Sequence, residues 1–100
     1  MEQFTKQPNE ALDYDIVFSE VIPDGDTVTG TLISVDGSVF APSFSSDGLD
    51  ISVSNGTTTT PKLWISEGTD AATYLVSVQV STSAGRIKES DFRMVIREIN

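Results

Sequence analysis

The sequence predicts an all-β fold, a sandwich of two packed antiparallel sheets with about seven strands. Two observations support this prediction. Apolar residues alternate with polar ones at every second position in most of the chain, and no stretch has the 3.6-residue period of an amphipathic helix. Turn-forming groups separate the alternating segments by roughly 8–12 residues. One hundred residues suffice for a single domain, residues 1–100, with one modest core.

Two strands in the first third of the chain are predicted from which alternate positions are apolar, and the second of them is described first. Residues 27–35 are rich in β-branched side chains, but the inward parity changes between Val28 and Ile33. Gly30 lies between them, so we predict a β-bulge at this point. The strand before it begins at residue 12, and its predicted inward positions are Leu12, Tyr14, Ile16 and Phe18, with Asp13, Asp15, Val17 and Ser19 on the solvent side.

Three segments form the predicted middle of the chain. Residues 38–44 read as a weak strand, and Pro42 places it at a sheet edge because proline has no N–H to donate. Residues 49–53 alternate and predict a strand that Asn55-Gly56 ends, since this dipeptide is the strongest short turn signal. Residues 62–66 predict a short strand with Leu63 and Ile65 inward.

The turn between the next two strands contains Asp-x-Ala-x-Tyr, from Asp70 to Tyr74. This spacing resembles the tyrosine corner of immunoglobulin-like sandwiches, in which the Tyr hydroxyl bonds to the backbone a few residues upstream. We therefore expect an immunoglobulin-like antiparallel β-sandwich with Asp70 and Tyr74 as its structural corner. The last two strands have a clear alternation, with the inward set Tyr74, Val76, Val78 and Val80 followed by Phe92, Met94 and Ile96.

Composition excludes several classes of function. The chain has no His and no Cys, so neither a Ser-His-Asp nor a Cys-His arrangement can be built, and a zinc site lacks its usual ligands. The absence of Cys favours folding in a reducing cytoplasm. No apolar run approaches the roughly 18 residues of a membrane span. We expect no catalytic residue, no metal, no cofactor and no membrane partner.

Carboxylates are the remaining candidates for chemistry. Asp13 and Asp15 are predicted on the solvent face of a strand, and Asp24 and Asp26 on a turn, with no apolar pocket to raise one pKa. The turn around Asp24 is an alternative calcium site, with Asp36 or Asp47 nearby. Its spacing is not that of an EF-hand, and Asp and Gly are ordinary turn residues. The turn interpretation is preferred.

Charge is unevenly distributed along the chain. The formal net charge is −9. Residues 1–60 hold ten acidic residues against Lys6, whereas residues 61–100 hold five acids and five bases. An acidic chain repels phosphate backbones, so we expect no nucleic-acid partner. The acidic half serves either solubility or contact with a basic partner.

Three further side chains are candidate partner contacts. If Leu63 and Ile65 face the core, Trp64 faces outward. There it is either a candidate binding anchor or covered by a neighbouring strand or the N-terminal segment. Arg93 and Arg97 share one parity of the last strand and either pair with acidic neighbours or contact a partner.

The motifs carry a resemblance to a known family. They are the opening pattern Phe4-x-Lys6-x-Pro8-x-Glu10, which continues through Leu12-Asp13-Tyr14-Asp15-Ile16 to Phe18, the tripeptide Gly25-Asp26-Thr27, residues 62–66 and 68–69, Tyr74, and Gly85-Arg86. Together these resemble small immunoglobulin-like virion proteins of tailed bacteriophages, the fibre-tail adaptor or tail-attachment type.

The resemblance implies a non-enzymatic virion protein made in the host bacterial cytoplasm. It would link the tail or neck to fibres, in several copies around a ring. The opening segment with Phe4, Lys6 and Pro8 is then a candidate partner contact, by strand addition to a neighbour, or else an ordinary first strand. Two other functions remain open: a capsid decoration or head-fibre protein, and a carbohydrate- or receptor-binding module that would use Trp64 beside residues 57–60.

Overall fold

The computed structural model describes residues 2–16, 18, 22–23, 25–46, 48–57 and 60–98. Within them the chain forms eight strands and no helix. The strands are β1 Glu2–Lys6, β2 Leu12–Asp15, β3 Val28–Val35, β4 Ser43–Ser46, β5 Leu49–Thr57, β6 Thr60–Glu67, β7 Thr73–Thr82 and β8 Ile87–Ile96. Val17, Ser19, Asp24 and Asp47, which the sequence pattern places on a strand face and in turns, lie outside the described residues.

The strands form two four-stranded sheets. The first has the order β1-β8-β7-β3 and the second the order β2-β6-β5-β4. All pairs are antiparallel except β1 with β8, which run parallel. The all-β two-sheet prediction is confirmed, with eight strands in the described residues rather than about seven. The immunoglobulin-like connectivity remains a prediction.

The core lies between the sheets and follows the predicted alternation. The inward residues of β7 and β8 are almost fully buried, and those of β5 and β6 face them from the second sheet. The buried residues of these four strands are Tyr74, Val76, Val78, Val80, Phe92, Met94, Ile96, Leu49, Ile51, Leu63 and Ile65. Ile16 and Phe18 are also buried, whereas Leu12 and Tyr14 are half-buried. Burial of apolar side chains on the inner faces is what holds the two sheets together.

The bulge predicted at Gly30 is present as a register shift between Val28 and Gly30 in the β3–β7 pair. The shift returns Ile33 and Val35 to the core side, where both are buried. A strand with strict alternation would have placed them in solvent, because each one-residue slip reverses every side chain.

Three predicted boundaries were wrong. The strand predicted to carry Ile16 and Phe18 ends at Asp15, and these two residues lie beyond it although both are buried. Asn55-Gly56 does not end the strand, because β5 continues to Thr57 and pairs with Thr60 across a register shift after Ser54. Asn55 and Gly56 lie at the irregularity between two paired stretches of β5 and β6, so the chain does not turn at this dipeptide.

The weak strand predicted over residues 38–44 is shorter and later than expected. Only Ser43–Ser46 forms a strand, at the edge of its sheet as predicted, and Ala41 makes an isolated bridge with Ile33. Pro42 separates the bridge from β4, since a residue without an N–H interrupts a ladder.

Candidate functional site

The corner between β6 and β7 joins the two sheets. The Tyr74 hydroxyl accepts a hydrogen bond from the Thr69 backbone N–H at 3.2 Å, five residues upstream. Asp70 Oδ1 accepts from the Glu98 N–H at 2.9 Å, and so ties the turn to the chain after β8. Gly68 has φ +111°, and a Cβ there would lie 2.7 Å from Ile96 Cγ1. Glycine meets both demands, since it has no Cβ and tolerates positive φ. The energetic role of Asp70 and Tyr74 remains a prediction.

The opening segment forms a strand of this chain's own sheet. Phe4 lies between Tyr14 and Phe92, with ring centroids 4.8 and 5.2 Å away. Lys6 is buried, and its Nζ donates to the Gln7 carbonyl at 2.7 Å. The sequence left two alternatives for this segment, a first strand of the same sandwich or an extension to a neighbour. In the structure it is a strand of the same sandwich.

Burial also changes the electrostatics of this segment. Desolvation lowers the pKa of Lys6, and the nearby carboxylates of Glu10 and Glu67 partly oppose it. Glu10 also closes the turn after β1, where its Oε1 accepts from the Gln7 N–H at 2.7 Å. Pro8 lies half-buried in the same turn. Phe4 and Lys6 are thus engaged within the chain, and contact of Phe4, Lys6 or Pro8 with a partner stays a prediction.

Asp26 is buried at the end of the β7–β8 hairpin. Its Oδ1 accepts from the Ser83 hydroxyl at 2.8 Å and from the Ala84 N–H at 3.0 Å, and its Oδ2 accepts from Arg86 Nη1 at 2.9 Å. Burial by itself raises the pKa of this carboxyl, but the hydrogen bonds from Ser83, Thr82, Ala84 and Arg86 together outweigh it and hold the pKa well below its usual range. A metal is not needed to explain the position of Asp26.

Trp64 lies on the outer face of the β2-β6-β5-β4 sheet and keeps 46% of its surface exposed. Leu63 and Ile65 on either side are fully buried, so the outward alternative holds for Trp64. Cross-strand pairing places Asp13 on one side of Trp64 and Ser52 on the other. A shallow groove of about 270 Å³ runs beside it. Six of its lining residues are Trp64, Ser43, Ser45, Asp50, Ser52 and Ser66.

An ion-pair network flanks Trp64 on the same face. Lys62 Nζ lies 2.8 Å from Asp13 Oδ2 and 3.1 Å from Asp15 Oδ1. The hydrogen bond from Lys62 lowers the pKa of Asp13, and the bonds to Asp13 and Asp15 raise the pKa of Lys62. Both aspartates face solvent, as the sequence predicted. Their connection through Lys62 was missed, because it depends on the strand register and not on the spacing along the chain.

Arg93 and Arg97 are both exposed at the opposite side of the molecule from Trp64's sheet. Arg93 lies on the outer face of β8 between Gln3 of β1 and Leu75 of β7. Arg97 follows β8, and its N–H donates to the Lys6 carbonyl at 2.9 Å. Among the described residues, salt bridges involve Lys62 and Arg86 rather than these two arginines.

By its fold, the protein is a small all-β sandwich. Its described residues include no group of three or more His, Cys, Asp or Glu side chains placed to hold a metal ion. They also include no helix able to cross a membrane.

Comparison with known proteins gives the family. The family model of the podophage GP4 fiber-tail adaptor protein gp77 matches residues 6–95. The match covers most of the chain, so the chain belongs to this family, and the resemblance predicted from its motifs is confirmed. No curated protein matches the chain. A structural place in the bacteriophage virion, at the tail, follows from the family.

Proposed function

We propose that this protein is a non-enzymatic adaptor that links the tail or neck of a phage particle to its fibres through protein–protein contacts. The observation that carries the proposal is the match of the fiber-tail adaptor family over residues 6–95. The matched region includes both sheets, the corner at Tyr74 and the outer face with Trp64. The match begins at Lys6, the last residue of β1, so the adaptor role is assigned to the sandwich from the end of β1 onward.

The state of the carboxylates supports a role without catalysis. A general acid of a glycoside hydrolase needs a raised pKa. Asp26 has a lowered pKa because four hydrogen-bond donors surround it, and Asp13 has a lowered pKa because of Lys62. These groups stay ionised at neutral pH and have structural partners.

The partners in this proposal are other virion proteins: tail, portal or fibre proteins. The protein is made in the bacterial cytoplasm and occupies several positions in a ring on the particle, and it contacts neither nucleic acid nor membrane. A net charge of −9 disfavours self-association of the free protein. We expect monomers in sedimentation at low concentration and assembly only on a partner; a stable ring of the isolated protein would contradict this.

The test of the adaptor role is a phage that lacks the gene for this chain. We expect particles with filled heads and tails but without attached fibres in electron micrographs, and wild-type complementation should restore the fibres. Fully fibred particles from the deletion would reject the adaptor role. Loss of a layer on the capsid, with fibres retained, would instead establish a decoration protein.

A further inference from the structure

We propose that the outer face of the β2-β6-β5-β4 sheet, around Trp64, binds an arginine-bearing segment of another virion protein. This inference rests on the proposed adaptor function and names the surface and the chemistry of one contact. The surface, called the Trp64 face, comprises Trp64, the groove beside it, and the flanking acidic residues Asp13, Asp15 and Asp50.

The indole ring is available to a partner. The cross-strand neighbours of Trp64 are Asp13 and Ser52, and 46% of its surface lies in solvent. The groove beside it is also lined by the apolar residues Phe44, Ile51 and Ile65. A groove of about 270 Å³ is slightly smaller than the roughly 300–1,000 Å³ of small-molecule pockets, which suits one inserted side chain. Tryptophan is one of the three residue types enriched at the energetic centres of protein interfaces, with tyrosine and arginine.

The charge of the Trp64 face selects a cationic side chain. Lys62 bridges two aspartates, so the bridged group keeps one surplus negative charge. Asp50 lines the groove on the other side of Trp64 and holds the Ser45 hydroxyl as a donor. A partner that presents positive charge here gains Coulomb energy with carboxylates on both sides of the indole ring.

Arginine fits this combination better than lysine. A guanidinium stacks on an indole face, is more weakly hydrated than an ammonium group, and offers donors in a fixed fork that matches a carboxylate. Over Trp64 it has the ring beneath it, with Asp13 and Asp50 to either side. The net charge of −9 opposes association of two copies of this chain, so the proposal takes a different protein of the particle as the occupant. The exposed Arg93 and Arg97 of a second copy are the competing source of arginine, and the crosslinked peptide distinguishes the two.

The experiment is site-specific photo-crosslinking in intact virions. Ser52→p-benzoylphenylalanine places the crosslinker on the Trp64 face while keeping Trp64 itself, because Ser52 pairs with Trp64 across the strands. Leu75→p-benzoylphenylalanine, on the outer face of the other sheet, is the matched control. Irradiated particles are digested and the crosslinked peptides are sequenced by mass spectrometry.

We expect Ser52 to capture a peptide of another virion protein with an arginine within a few residues of the crosslink, and Leu75 not to capture it. Replacement of that arginine by Ala in the partner should lower the yield about tenfold, as should Trp64→Ala in this chain. Circular dichroism melting shows whether the Trp64→Ala protein is folded, and the partner variant tests the contact independently of it.

Several outcomes would overturn the proposal. They are no crosslink from Ser52 in particles that contain the protein, a peptide without arginine, a peptide of this chain itself, a saccharide adduct, or an unchanged yield after the arginine is removed. A failed crosslink together with missing fibres in the gene deletion would leave the adaptor role standing. An arginine-bearing crosslink with fibres retained would reject the adaptor role and keep the contact.

Discussion

Aspartates in two regions of this protein have the same side chain and different surroundings. At the hairpin end, Asp26 is buried and accepts hydrogen bonds from residues 57–60 positions away in the chain, among them Ser83 and Arg86. On the Trp64 face, Asp13 and Asp15 meet Lys62 in solvent.

The difference shows that surroundings decide what a carboxylate contributes. A buried, fully bonded carboxylate leaves uncompensated donors when it is removed, whereas an exposed ion pair is screened by water and salt. The hairpin cluster therefore holds the fold together. The exposed cluster contributes little to stability and keeps its charge available for a partner.

The largest expected effect is at the hairpin end. Asp26→Asn should strongly lower the free energy of unfolding, because one amide oxygen cannot replace two carboxylate oxygens that accept from Ser83, Ala84 and Arg86. Asp13→Asn is the matched control and should change stability much less. Urea unfolding midpoints measure both. Equal losses for the two variants would break the comparison.

The Asp26 carboxylate should also determine how the free energy of unfolding decreases at acid pH. Its pKa in the folded protein lies below the usual range. The stabilisation is therefore complete above the unfolded-state pKa of about 3.9 and is lost as the pH falls below it, because the unfolded chain takes up the proton first. Urea titrations from pH 6 to pH 2.5 should show a shallower acid slope in Asp26→Asn. The exposed Asp91→Asn serves as the control, and an unchanged slope in Asp26→Asn would contradict the assignment.

A pair of tyrosines extends the comparison to neutral groups. Tyr74→Phe should destabilise the protein by about 1–2 kcal/mol, since its hydroxyl accepts from the Thr69 N–H. Tyr14→Phe should be neutral or stabilising by up to about 1 kcal/mol. Among described residues, the Tyr14 hydroxyl is buried without a hydrogen-bond partner. An unchanged denaturant midpoint for Tyr74→Phe would remove the case for a tyrosine corner.

The smallest expected effect is at Lys62. Lys62→Gln removes both salt bridges of the exposed cluster, yet we expect no measurable change in the urea midpoint, since exposed ion pairs often contribute nothing to stability. The thermal midpoint at low and at high salt checks the same point. A loss as large as that of Tyr74→Phe would show that the Trp64 face has a structural role.

The sequence predicted most of the strands correctly, but it predicted fewer of the contacts on the surfaces. Alternation identified the inward residues of β7 and β8, and the phase change at Gly30 identified the bulge, because both depend only on local parity. The dipeptide Asn55-Gly56 misled, since a local turn preference of this strength is overridden when neighbouring strands pair through it. Pairing partners are non-local, so the pattern could not reveal this.

The sequence by itself determined the all-β class, the alternation of the core, and the family, since each is written in residue types and short spacings. Tertiary structure decided where the polar groups lie. Lys6 and Asp26 are charged residue types that usually lie at the surface, yet both are buried. Trp64 is a large aromatic residue that usually lies in a core, yet about half of its surface is exposed. Burial depends on which strands become neighbours, and strand pairing is set by the free energy of the whole core rather than by any single segment.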